Sequence, residues 1–246
     1  MKQEKRNRKL PGHRDDGVAT RWQILEAAGE VFAEKGVAYA TGKEIAERAG
    51  VNSAAVNYYF RGIDGLYAEV LVEAHHRLMD LEFLKKISEA PGRPEDKLSV
   101  FIDGMLRAVL GPMSSNWALR VLGREILHPS TAFPILLERE LLPKMQIATA
   151  FISEILGVPP DHPAVARSRL AIIAPFALLL LGSSKMLEHA APQEAIANQP
   201  DAAIEHFKRF FMGGLAQIAS DLAREKAGNG DDVAKRPQGA PGRSAH

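Results

Sequence analysis

Ala46, Gly50 and Val56 lie inside GKEIAERAGVNSAAVNYYF (residues 42–60), with gaps of four and then six residues. A small residue, a turn glycine and a branched apolar residue at these spacings form the pattern of two short helices crossing steeply through a three- or four-residue turn. Ala46 is small so that the second helix can cross over it. Gly50 takes a positive φ cheaply, and Val56 packs back against the first helix. Ile45, Ala49 and Val51 are the apolar neighbours. The chemistry expected of such a unit is DNA recognition, with the helix after Asn52 lying in a major groove.

A second set of residues suggests a different chemistry. Arg120, Arg124 and His128 recur at i, i+4 and i+8, so they share one helix face. With Asn116 they are candidate polar anchors for a small molecule, and Trp117, Phe133 and Phe176 are candidate apolar walls. The same face also reads as a solvated one, salt-bridged to Glu125 or Glu138. His75 and His76 are adjacent and point in different directions, without the i, i+4 spacing of a helical zinc site. The chain has no cysteine, which excludes disulfides, thiolate zinc sites and cysteine nucleophiles. It has no Gly-x-Ser-x-Gly elbow, Walker loop or spaced His/carboxylate set, so neither an enzyme nor a cofactor is expected.

The elements that position these residues read as all-α, with about nine helices and helical periodicity nearly throughout. The first helix is expected over about Gly17 to Lys35, ended by Gly36. Thr41 is a plausible N-cap for the second, about Lys43 to Arg48. The third starts after Asn52 or Ser53 and ends near Phe60. Asp64 opens a long fourth helix to about Ser88. Ala90-Pro91-Gly92-Arg93-Pro94 marks a boundary in the pattern. Later helices are expected at about Glu95 to Leu110, Asn116 to Leu127, Thr131 to Leu156, Pro163 to Ala190 and Asp201 to Lys226. These divide the chain into a basic disordered arm (1–16), a helix-turn-helix unit (17–62), a helical ligand-binding and dimerisation body (63–226) and a disordered tail (227–246).

Net charge is +1, so the chain as a whole does not look like a nucleic-acid protein. Its distribution is more telling. Residues 1–14 carry Lys2, Lys5, Arg6, Arg8, Lys9 and Arg14 against Glu4, about +5, which leaves about −4 for the rest. An arm of that charge either supplements phosphate contacts or is simply solvated. No apolar stretch follows it as in a signal peptide, and the run Leu170 to Leu181, interrupted by Pro175, is short for a bilayer. It reads as a buried helix, and a cytoplasmic protein without membrane contact is expected.

The segment Thr20 to Leu71 resembles the DNA-binding domain of the TetR family of bacterial transcriptional regulators. The matching residues are ILEAAGEVFAEKG (24–36), Thr41, EIAERAGV (44–51), YYF (58–60) and Leu66. GREILHPSTAFPILLERELLP (123–143) is similar to the ligand domain of CecR-type members, and the AAVNYYF recognition helix agrees with that subgroup. The resemblance implies that Asn52, Ser53, Ala54, Ala55 and Asn57 reach base edges, with asparagine pairing to adenine and alanine methyls touching thymine methyls. It also implies phosphate contacts from Tyr58, Tyr59, Thr41 and Lys43. Tyr59 and Phe60 also read as core residues, and Ala54 and Ala55 as residues allowing close approach. Ile63 departs from the family's lysine, and Arg61 is the candidate to take over its phosphate. The expected function is a ligand-responsive homodimeric repressor on a pseudo-palindromic operator, its dimer made by the last two long helices. A body too filled to hold a molecule would favour a ligand-free regulator instead.

Overall fold

The computed structural model describes residues 13–110, 117–181 and 199–234. Every described element is helical: α1 (His13–Lys35), a 3₁₀ turn (Val37–Tyr39), α2 (Gly42–Ala49), α3 (Ala54–Phe60), α4 (Ile63–Leu78), α5 (Leu81–Glu89), α6 (Pro94–Leu110), α7 (Trp117–Leu127), α8 (Phe133–Leu136), a π-turn (Leu137–Leu141), α9 (Leu142–Leu156), α10 (Pro163–Leu181) and α11 (Pro200–Ala234). Two apolar cores organise them. The first joins α1 to α4 with Trp117, Ala118, Val121 and Leu122 of α7 and with Ala132 and Leu136. The second gathers Met79, Leu84 and residues of α6, α9, α10 and α11.

The small helices are set by local chemistry. Thr41 Oγ1 accepts from the Glu44 amide at 3.2 Å and starts α2. Gly50 closes it in the left-handed region at φ 68°, where a side chain would be strained. Asn52, not Ser53, caps α3: its Oδ1 accepts from Ala54 N at 2.8 Å, while Ser53 is helical and makes no capping bond.

Several expected boundaries move. The long fourth helix is two helices, because Met79 is extended and Asp80 recaps α5 through Glu82 N at 2.9 Å. Met79 is buried in the second core. A Cβ on Gly104 would come within 2.8 Å of its Cε, so a glycine there makes room for it. The turn at residues 90–93 is no boundary in the core, since α5 and α6 on either side contribute to the same cluster. α1 begins at His13, four residues into the expected arm; the arm's residues 1–12 lie outside the described residues. α11 continues to Ala234, into the expected disordered tail, and the rest of that tail also lies outside them. The run expected from Thr131 starts at Phe133 and contains the π-turn. The expected extension of α10 to Ala190 falls among residues not described.

The reading of α10 as a buried helix is also corrected. It runs for 19 residues at mean hydropathy 1.8, long and apolar enough to cross a membrane by length and composition, yet only 22% of it is buried within the subunit. Leu170 (69% exposed) and Leu178 (52%) face outward. Its apolar character therefore exceeds what this subunit's core uses.

The π-turn holds α4 from inside. Lys144 Nζ donates to His75 Nδ1 (2.9 Å), to the His75 carbonyl (3.2 Å) and to Glu140. An ammonium has only donors, so His75 Nδ1 accepts and the ring proton sits on Nε2. Burial first, and then the Lys144 charge, holds the imidazole below its ordinary value of 6.5, against the opposing pull of Glu140. The unfolded chain thus takes up a proton near that value which the folded chain refuses. Stability is present above it and lost as pH falls through it. We expect the unfolding free energy of the wild type to drop from about pH 7 to about pH 5 more steeply than that of His75→Asn, by up to about 1.4 kcal/mol per pH unit. Parallel curves in a urea titration series would exclude His75 as the source.

Candidate nucleic-acid interface

α2 and α3 cross with Ile45, Ala46, Val56 and Phe60 turned into the first core. The opposite side of α3 presents Asn52, Ser53, Ala54, Asn57 and Tyr58 to solvent, and Ala55 is half-buried beside Val56. The capping bond narrows one expectation. Asn52 Oδ1 is already engaged by the Ala54 amide, so one of its two lone pairs is spent and the side chain is turned toward the helix start. Asn57, exposed, has no such bond to the helix start and is the better asparagine for two-point pairing with adenine.

Thr41, Lys43 and Tyr58, expected at phosphate, are all exposed. Thr41 is exposed at the start of α2; its hydroxyl accepts from Glu44 N and keeps its own proton to donate. Lys43 is exposed in the first turn of α2, with a long, weak contact to Glu47 at 3.9 Å. Tyr58 is 81% exposed and stands edge-on to Tyr59, ring centres 4.9 Å apart. Tyr59 is half-buried against the first core, and Phe60 lies within it. Ile63 opens α4 and packs against the same core, so an apolar residue suits that position. Tyr39 is missing from the sequence reading. Its 3₁₀ turn leads into Thr41, and its ring is 78% exposed. The only signal was an aromatic residue beside a cap.

Arg61 sits at φ 60°, the sole non-glycine residue in the left-handed region among those described. Its N–H closes α3 onto the Asn57 carbonyl. That conformation costs a residue with a Cβ about 1 kcal/mol that glycine avoids. Arg61→Gly is therefore expected to raise stability by about 1 kcal/mol while lowering DNA affinity, and to make the slope of log K against log salt shallower by about one phosphate contact. Unfolding curves and a salt series of DNA titrations read both; unchanged affinity and slope would exclude Arg61 from the interface.

The six body candidates do not converge. Trp117 is buried where α7 meets α1: its Nε1 donates to Glu26 at 2.9 Å, and the Arg77 guanidinium lies 4.8 Å over its ring. Arg124 Nη2 donates to the Glu34 carbonyl at 3.2 Å, at the C-terminal end of α1, where a cation suits the helix dipole. Arg120 is exposed near Glu34, whose carboxyl is held low mainly by hydrogen bonds from Arg48. His128 is exposed past the end of α7. Phe133 packs on the first core, and Phe176 stacks on Phe211 in the second. Glu125 does not pair with the arginines. It is buried, taking the Tyr67 hydroxyl (2.8 Å) and the Ser130 amide (2.8 Å). Asn116 lies outside the described residues. The shared face is thus a solvated one, with Arg120, Arg124 and His128 all exposed and Arg124 reaching across to the end of α1. An open groove of about 310 Å³ lies elsewhere, between α9 and α10, lined by residues including Met145, Thr149 and Arg169.

Residues 24–70 match the family model described as bacterial regulatory proteins, tetR family, and residues 94–215 match the C-terminal domain of the HTH-type transcriptional dual regulator CecR. The uncharacterized HTH-type transcriptional regulator TtgW of Pseudomonas putida is 34% identical over 99 residues, 40% of this chain and 69% of that protein. The chain belongs to the TetR family. It is thus a DNA-binding transcriptional regulator of a family that is not enzymatic, and its body agrees with the CecR-like subgroup. The regulator SrpR of Pseudomonas putida is also 34% identical over 99 residues, but that match spans only 44% of its length. Two solved TetR-like folds cover most of the chain. FadR from Bacillus subtilis in complex with stearoyl-CoA has a TM-score of 0.58 at 16% identity, covering 80% of this chain and 98% of that one. FadR from Bacillus halodurans has a TM-score of 0.59 at 16% identity, covering 78% and 97%.

Proposed function

We propose that this TetR-family protein is a homodimeric repressor that grips a pseudo-palindromic operator through α3 and is released by a small molecule in its body. One observation supports the first half most directly. The four most exposed large apolar side chains described fall into two pairs: Tyr58 (81%) and Tyr39 (78%) on the head, Phe210 (71%) and Leu170 (69%) on α11 and α10. The first pair has amphipathic rings with hydroxyls suited to phosphate. The second pair asks for apolar cover. Gly213 and Gly214 stand in the same stretch as Phe210, and a Cβ on either would meet nothing within 4 Å among the described residues. Mid-helix glycine costs about 1 kcal/mol, and packing among the described residues gives no reason for it. Close approach of a second copy does. That cover also accounts for the apolar α10 without a membrane and agrees with a place beside the chromosome in the cytoplasm.

The test is selection of duplex DNA from a random pool by the full chain, followed by footprinting with and without candidate small molecules. A two-fold symmetric site with half-sites about one helical turn apart is expected. No enriched sequence, or an asymmetric site bound by one subunit, would overturn the reading. Gly214→Leu is expected to give a folded monomer by sedimentation, with the subunit's own packing intact and operator affinity sharply reduced. A variant that stays dimeric would place the interface elsewhere. The footprint screen identifies the releasing ligand, because a fold shared at 16% identity transfers no ligand.

A further inference from the structure

We propose that Arg21 is a positioning residue for α3 and that the π-turn of the body sets it through Glu69; this rests on the reading of α3 as the DNA-reading helix. The Arg21 guanidinium lies 5.1 Å over the ring of Phe60, the last residue of α3. Its Nη2 donates to Glu69 Oε2 at 2.7 Å. The other oxygen of Glu69, Oε1, accepts from Arg139 Nη1 at 2.6 Å, and Arg139 is the middle residue of the π-turn. Both oxygens of one α4 carboxylate are thus shared between an arginine that touches the recognition helix and an arginine of the body.

The consequence follows from how little else holds α3. It is seven residues long, and its fully buried anchors are Val56 and Phe60. A helix that short has few internal hydrogen bonds, so its orientation comes from packing. Both pack in the first core, and Phe60 is in addition overlaid by a cation whose direction Glu69 fixes. A π-turn is a local, often functional departure from the α-helix, and this one also carries Glu140, the partner of Lys144 beneath α4. Any change that rewinds it moves Arg139 and releases one side of Glu69.

The sign of a charge effect separates this relay from ordinary surface ion pairs. Glu69→Gln removes a negative charge from the head, so simple electrostatics predicts tighter binding to DNA. The relay predicts weaker binding. The probe is a duplex selected from a random pool by the wild type. Glu69→Gln is expected to weaken it about fivefold to tenfold and Arg139→Ala, on the body, about threefold. The slope of log K against log salt stays at the wild-type value, because none of the three residues touches phosphate. Amide exchange within α3 rises in both variants. Arg139 is half-exposed, so its replacement gives a reading even if Glu69→Gln melts early; losing a cation weakens binding in either account, so the reading there is the faster amide exchange in α3. Glu69→Gln binding as tightly as the wild type or tighter, with Arg139→Ala unchanged, would overturn the relay, and so would a loss accompanied by a shallower slope. If the wild type enriches no duplex at all, it is the DNA-reading assignment of α3 that fails.

Discussion

Gly29→Ala should destabilise the protein by about 1 to 3 kcal/mol, although alanine is the better helix former by about 1 kcal/mol. Gly29 lies in α1 under the indole of Trp117, and a Cβ there would come within 2.3 Å of Cδ2 and 2.5 Å of Cε2. The indole cannot give way easily. Its Nε1 is tied to Glu26, Arg77 covers one face, and its side chain is buried. The decisive measurement is the same substitution in a Trp117→Ala background. With the ring gone the clash is gone, and Gly29→Ala should become stabilising by its helix propensity alone. Urea unfolding of the four proteins gives the cycle; the same sign in both backgrounds would refute the account.

Lys144→Ala should cost about 3 to 5 kcal/mol, the usual range for removing one partner of a buried ion pair. Lys144 is 4% exposed and Glu140 is 7% exposed, so the carboxylate left behind finds little water. His75 loses the donor to its ring nitrogen and to its carbonyl at the same step. Replacing both charges, Glu140→Leu with Lys144→Met, should cost far less than Lys144→Ala, because the desolvation penalty of two ions goes with them. If the double variant is the less stable one, the pair contributes more than its burial costs. DNA affinity should follow stability in Lys144→Ala, since the same residue holds the end of α4.

The head was legible because its constraints are local. Ala46, Gly50 and Val56 specify the crossing, Thr41 the cap, and the structure places each in the role its type suggests. The body was less legible wherever a long-range contact decides. Nothing in HHRLMDLEFL breaks a helix except Asp80, an N-cap that only matters because Met79 is drawn into the second core. The π-turn has no sequence signature and is held by Lys144 and Arg139 reaching α4. Trp117 and Arg124 have the right types for a ligand site, yet both are spent on α1. The glycine that seats Trp117 was the missing signal: Gly29 stands mid-helix with no turn to explain it.

The division into two cores has a mechanical consequence. The two cores do not meet at the end of the helix-turn-helix: α4 and α7 belong with the head, and the break at Met79–Asp80 hands the chain to the other core. The boundary between the two cores therefore runs through the body, where Gly123 of α7 faces Leu180 of α10 (a Cβ there would be 3.6 Å from the Leu180 carbonyl) and where Lys144 grips His75. In the proposed dimer, each half is then an arm whose root lies deep inside its own subunit. The spacing of the dimer's two reading heads is governed by how α7 and α4 settle on the core behind them, more than by any linker beside the DNA.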